Sequence, residues 1–179
     1  MVRHYNYLLA GITVVALTIP LAGQEDLSED LSPPISNSVT IGGKKLRVVY
    51  RAPSMRGRRI FGGLVLYGVL WCPGANYATT LTTTADLDIG GLRVPKGNYT
   101  LWAIPWLREW TLIFNKQTGQ WHTEYHGSRD LGRVTLEVKS LPSPVQRLSI
   151  ELAQNGPSSG TLSIIWEKTE AWTSFTVLP

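Results

Sequence analysis

From Val39 to its end, the chain alternates apolar and polar residues with a period of two, and this alternation constrains its fold more than any other feature. Val134, Leu136 and Val138 alternate with Thr135, Glu137 and Lys139; Leu148, Ile150 and Leu152 alternate with Ser149 and Glu151; Leu162, Ile164 and Trp166 alternate with Thr161 and Ser163. Successive side chains of a strand point to opposite faces, so each segment has one face to bury and one to leave in water. No stretch after residue 38 repeats with the 3.6-residue period of a helix. Turn-forming clusters fall between the segments: Gly42-Gly43, Gly90-Gly91, Pro95 to Asn98, Lys116 to Gly119 and Asn155 to Gly160. Double glycines supply the positive φ angles of tight hairpins. About ten short strands at this spacing predict an all-β domain, a single antiparallel β-sandwich or partly open barrel. With 43% hydrophobic and 17% charged residues the chain has material for a core, which excludes an intrinsically disordered protein. Its one cysteine excludes a disulfide framework and any multi-cysteine metal site.

The N-terminus is of different material. Arg3 precedes the apolar run Leu8 to Ala22, and Pro20 stands near its end. That is the order of a secretory signal, too short for a spanning helix. Residues 1–23 are therefore expected to be a signal helix or N-terminal anchor, and the protein to be exported to a periplasmic or extracellular space. No small residue stands three before a cleavage point at Ala22 or Gly23, so cleavage and an uncleaved anchor both stay open. Residues 24–36 carry Glu25, Asp26, Glu29, Asp30 and the Pro33-Pro34 pair without a basic residue, and read as a flexible acidic linker. The β domain is then 37–179, with sixteen basic against nine acidic side chains, a net +7.

The segment Arg56-Gly57-Arg58-Arg59 to Val65, followed by Tyr67-Gly68, Trp71, Gly74-Ala75-Asn76 and Ala78-Thr79-Thr80, resembles a family of bacterial exported proteins known as domain of unknown function 2911. The similarity continues through Ile89-Gly90-Gly91, Pro95, Gly97 and Tyr99, Ile104-Pro105, Glu109-Trp110, Phe114-Asn115-Lys116, Trp121 and Trp166-Glu167. It covers about residues 37–178. The resemblance implies an exported β domain and no defined activity. Two positions depart from the family pattern: Cys72-Pro73 stands where the family carries arginine and threonine, and Arg51-Ala52-Pro53 places an arginine one position early. If those arginines bind an anion in relatives, the site is weakened or rebuilt here.

The densest chemical feature is basic. Lys44, Lys45, Arg47, Arg51, Arg56, Arg58 and Arg59 fall within 16 residues that hold no carboxylate. Guanidinium forks suit carboxylates and phosphates because they donate two parallel hydrogen bonds. Arg56, Arg58 and Arg59, with Asn76, are the candidate anion ligands; the bland alternative is a solvated loop face neutralised by carboxylates from elsewhere. Trp102, Trp110, Trp166, Tyr99 and Phe114 are expected to be core side chains. Trp106 follows Pro105 in a turn and is expected to be exposed, available to stack on a ligand or partner. His122, Glu124 and His126 alternate, so on a strand they would share one face and offer the ligand set of a zinc or non-haem iron site. Glu109, Glu124, Asp130 and Glu167 could form a glycosidase-like carboxylate pair only if the fold brings two together. No Gly-x-Ser-x-Gly elbow exists.

Three functions remain. The leading one is a non-catalytic binding module for an anionic small molecule or acidic envelope component, with no cofactor. The second is a metal-dependent hydrolase of envelope or extracellular material, using a divalent metal on the histidine segment. The third is a structural partner in an envelope complex. Catalytic residues are not identifiable, nucleic acid is not an expected partner, and membrane contact is expected only through an uncleaved N-terminal segment.

Overall fold

The computed structural model describes residues 31–179. The expected signal segment and the linker up to residue 30 lie outside the described residues. The strands are β1 (Pro34–Ile41), β2 (Lys44–Arg51), β3 (Thr80–Thr83), β4 (Leu87–Ile89), β5 (Leu92–Val94), β6 (Gly97–Pro105), β7 (Glu109–Asn115), β8 (Asp130–Gln154) and β9 (Ser159–Val177). They form one antiparallel sheet in the order β1-β2-β3-β6-β7-β8-β9-β4-β5. Strand β1 starts at Pro34, three residues before the expected domain boundary, because the Ala52 N–H donates to the Pro33 carbonyl and Ile35 packs on the core.

Hairpin β1–β2 turns on Gly42 and Gly43, at φ 55° and 76°, and pairs Ile41 with Lys44. A two-residue loop of this kind needs positive φ at both positions, which glycine adopts without steric cost. Alternate residues Leu46, Val48 and Tyr50 of β2 are buried, as the pattern requires.

Among the described residues the strands number nine, in line with the about ten expected, but two of them are long. Val134–Val138 and Leu148–Leu152 belong to one 25-residue strand, β8. The intervening Leu141-Pro142-Ser143-Pro144 bends the strand without ending it. Its register with β9 breaks between Ser140 and Val145 and again before Ser149, and both prolines lie in water, where a missing N–H costs no ladder bond. Up to Glu137 one edge of β8 pairs with β7. Past the bend the same edge meets the chain leaving β2: Met55 N–H donates to Gln146 O at 2.7 Å and Leu148 N–H to Pro53 O at 3.0 Å. Tyr50 Oη accepts from Ile150 N–H at 3.1 Å, and Asn37 Nδ2 donates to Ile150 O at 2.6 Å. The sheet thus rolls until β2 returns to β8, the partly open barrel of the two architectures expected.

The interior is a single apolar cluster that includes Leu81, Leu101, Leu112, Leu136 and Ile164. Full burial of such a side chain contributes about 1.5–3 kcal/mol. Strand β6 is buried on both faces, because residues 70–79 lie over its outer side and enclose Trp102, Cys72 and Ile113.

Candidate functional site

Strands β2 and β3 pair from Leu46 with Thr83 to Val49 with Thr80. Beyond that pairing the two chains part. The end of β2 continues to Pro53–Met55 and joins β8, whereas the chain leading into β3 follows the edge of β6. There Trp71 and Ala103 exchange two backbone hydrogen bonds, and Gly68 N–H donates to Pro105 O at 2.8 Å. Where the wall divides, a cleft of about 390 Å³ opens. Leu64, Val65, Trp71 and Trp166 give it apolar walls, and Arg56, Arg58, Ser54 and His122 add its polar groups.

Its floor is rigid. Trp71 and Trp166 lie nearly parallel, 18° apart with centroids at 6.1 Å. Phe61 meets both edge-on and packs against Trp110 at 4.9 Å. Trp166 Nε1 donates to Gln146 O at 3.3 Å, which leaves the indole anchored on the closing seam.

The arginines are held by backbone carbonyls rather than by acids. Arg58 donates through Nε to Met55 O at 3.0 Å and through Nη2 to Ser54 O at 2.8 Å. Arg56 Nη2 donates to Leu31 O at 3.1 Å. Among the described residues no carboxylate pairs with Arg56, Arg58 or Arg59. Each guanidinium has five N–H donors, and both Arg56 and Arg58 keep donors unspent at the cleft. Partial burial holds His122 below the ordinary histidine range, so its imidazole is neutral at pH 7.

Backbone strain gathers at the same place. Among the described residues, the non-glycine residues with positive φ are Arg56 at 50°, Asn76 at 60° and Glu167 at 52°. Arg56 lines the cleft. The Asn76 carbonyl accepts the backbone N–H of His122 at 2.8 Å and so places the imidazole. Glu167 directly follows the floor residue Trp166, and its Oε2 accepts the Phe61 N–H at 3.2 Å. Such conformations persist only where surrounding structure enforces them, and they concentrate at functional sites.

The sequence-named residues divide accordingly. Arg56 and Arg58 line the cleft. Arg59 does not: it turns back to donate to Phe61 O at 3.2 Å. Asn76 contributes through its backbone. Trp106 is exposed as expected, but it lies over Gly68 on the outer surface and not in the cleft. The segment with His122, Glu124 and His126 is a succession of turns rather than a strand, so alternation no longer places the three on one face. Among the described residues no group of three or more His, Cys, Asp or Glu is placed to hold a metal ion. His122 faces the cleft, whereas Glu124 and His126 lie in water. Asp130 braces this segment, accepting from Tyr125 Oη at 2.6 Å, Asn115 Nδ2 at 2.8 Å and Arg133 Nη2 at 3.1 Å. Trp71 and Trp166 escaped the site reading because, in sequence, a tryptophan looks the same whether it fills a core or floors a cleft; Glu167 was named as a candidate carboxylate, and the structure places it on the Phe61 N–H instead.

The family described as protein of unknown function (DUF2911) matches residues 32–175, most of the chain. No curated protein and no solved structure matches it.

Proposed function

Taking as premise that the chain belongs to the DUF2911 family, we propose that it is an exported, non-catalytic binding module whose cleft takes a small anion with an apolar or aromatic body. The carboxylate or phosphate of the ligand meets Arg56 and Arg58 at the rim, and its body lies on Trp71, which the buried Trp166 backs. The observation that carries this reading is that Arg56, one of the three non-glycine residues with positive φ among the described residues, lines the cleft, and that the other two, Asn76 and Glu167, directly follow its lining residues Ala75 and Trp166. The surrounding structure enforces these conformations, and they fix the backbone from which the Arg56 guanidinium and the His122 imidazole are held. Neutral His122 fits as a hydrogen-bonding group beside the anion, and the apolar floor strengthens charge pairing by excluding water.

Thermal unfolding of the full chain with a panel of aromatic carboxylates and phosphate esters tests the proposal. A ligand at about 100 times its Kd adds about 2.7 kcal/mol, which at this size raises Tm by roughly 5–10 °C. The shift is expected to vanish in Arg56→Ala/Arg58→Ala while the Tm without ligand stays close to wild type. A shift that survives in that double variant, or no shift with any member of the panel, overturns the reading.

A further inference from the structure

Four of the nine large apolar side chains exposed among the described residues lie on two adjoining loops. Leu66, Val69, Trp106 and Leu107 are 55, 50, 52 and 75% exposed. The Gly68–Pro105 hydrogen bond ties their loops together. The Trp106 indole lies so close over Gly68, at φ 74°, that a Cβ there would stand 2.7 Å from its Cη2. Glycine at that position is what lets the indole lie flat across the neighbouring loop. Leu64, at the mouth of the cleft, extends the ridge. Scattered exposed apolar residues are ordinary, but a contiguous group marks a surface that meets something.

The charge around the ridge tells what that is. No Asp or Glu occurs from residue 31 to residue 85. The loop that carries Leu64, Leu66 and Val69 also carries Arg56, Arg58 and Arg59, which are exposed and lack a carboxylate partner among the described residues. On the Trp106 turn, Arg108 and Glu109 balance each other. Exposed leucines, an exposed tryptophan and guanidiniums on the two adjoining loops offer the three chemistries of a bilayer boundary: acyl chains for the leucines, the headgroup level for the indole, phosphates for the arginines. We propose that this ridge docks on the surface of an anionic bilayer. The loop's own charged side chains are all positive, which favours anionic lipid over an apolar protein partner. The apolar contact of the ridge uses none of the residues that line the floor of the cleft, whereas Arg56 and Arg58 are shared with it.

The test uses the full chain with vesicles of phosphatidylglycerol and phosphatidylcholine whose acyl chains carry bromine, a short-range quencher of indole fluorescence. The apolar run at residues 8–22 contains no tryptophan, so quenching reports on the folded domain. Quenching is expected on the phosphatidylglycerol vesicles and is expected to fall by half or more in Trp106→Phe. Leu66→Ser/Leu107→Ser is expected to weaken partitioning of the ridge by about tenfold or more, because two apolar side chains no longer enter the boundary. Raising salt to about 1 M, where the Debye length is near 3 Å, is expected to weaken it further. Quenching that is unchanged in Trp106→Phe or in the double serine variant overturns the proposal. So does quenching that is equally strong on pure phosphatidylcholine, or absent from both.

Discussion

Glu167 permits a prediction whose sign runs against ordinary strand behaviour. In the interior of a strand, replacing alanine with glycine usually costs about 0.5–1 kcal/mol, because glycine has more backbone freedom to lose. Glu167 sits inside β9 at φ 52°, opposite the break in the β8 register. There a residue with a Cβ bears a cost of roughly 1–2 kcal/mol that glycine does not. The carboxylate offsets this cost by accepting the Phe61 N–H, a charge-assisted bond worth about 1.5–3 kcal/mol. Glu167→Ala loses the bond and keeps the strain, so it is expected to destabilise by about 1.5–3 kcal/mol. Glu167→Gly loses the bond but sheds the strain, and is expected to be more stable than the alanine variant by about 1 kcal/mol. Urea unfolding followed by tryptophan fluorescence measures the difference. With a slope of about 1–3 kcal/mol/M for a domain of this class, the glycine midpoint is expected to lie roughly 0.3–1 M above that of alanine, with equal slopes. An alanine variant as stable as the glycine variant, or more so, refutes the claim that strain is stored at Glu167. It would also remove one of the three observations on which the site rests.

Two further outcomes follow from burial and charge. Burial pushes the Cys72 thiol up to about 12, and its sulfur lies 3.5 Å from both Leu101 O and Thr79 N; maleimide at pH 8 is therefore expected to spare the native protein and to label it fully in urea, and stoichiometric labelling of the native state would contradict this. The Lys96 backbone N–H and the Arg93 guanidinium, each 2.9 Å away, hold the Asp86 carboxyl below the usual carboxylate range. Its stabilising contribution is present above the unfolded pKa of about 3.9 and is lost as pH falls through the lower folded value. Asp86→Asn is thus expected to flatten the acid limb of a stability–pH curve below about pH 4, and an unchanged limb would count against the pairing.

The two-residue period made most of the barrel wall legible, because a strand with one wet face writes its burial directly into alternation. It failed at β8, where Pro142 and Pro144 carry the signature of a turn. Whether a proline ends a strand depends on whether its missing donor faces a neighbour, and only the assembled sheet decides that. The arginine loop was legible as a cationic segment, but not the opposite directions taken by Arg58 and Arg59, which a single turn sets. His122 was legible as a polar group of interest for the wrong reason: its role follows from the left-handed Asn76 that receives its N–H, and no spacing rule encodes that. Trp71 and Trp166 come from segments 95 residues apart in number, and their stacking is a property of the rolled sheet alone.

The seam that closes the barrel also orders events in time. Ser54 and Arg147 meet across 93 residues of chain, and joining ends so far apart carries a loop-closure cost of about 4 kcal/mol or more. Local hairpins such as β1–β2 and β4–β5 face no such search, so the seam belongs to the slow, late stage of folding. Both the anchor of Trp166 and one wall of the cleft depend on it. During synthesis, a chain that has not yet reached Gln146 has the arginine loop without the surface it works against. The cleft is therefore a property of the finished molecule only.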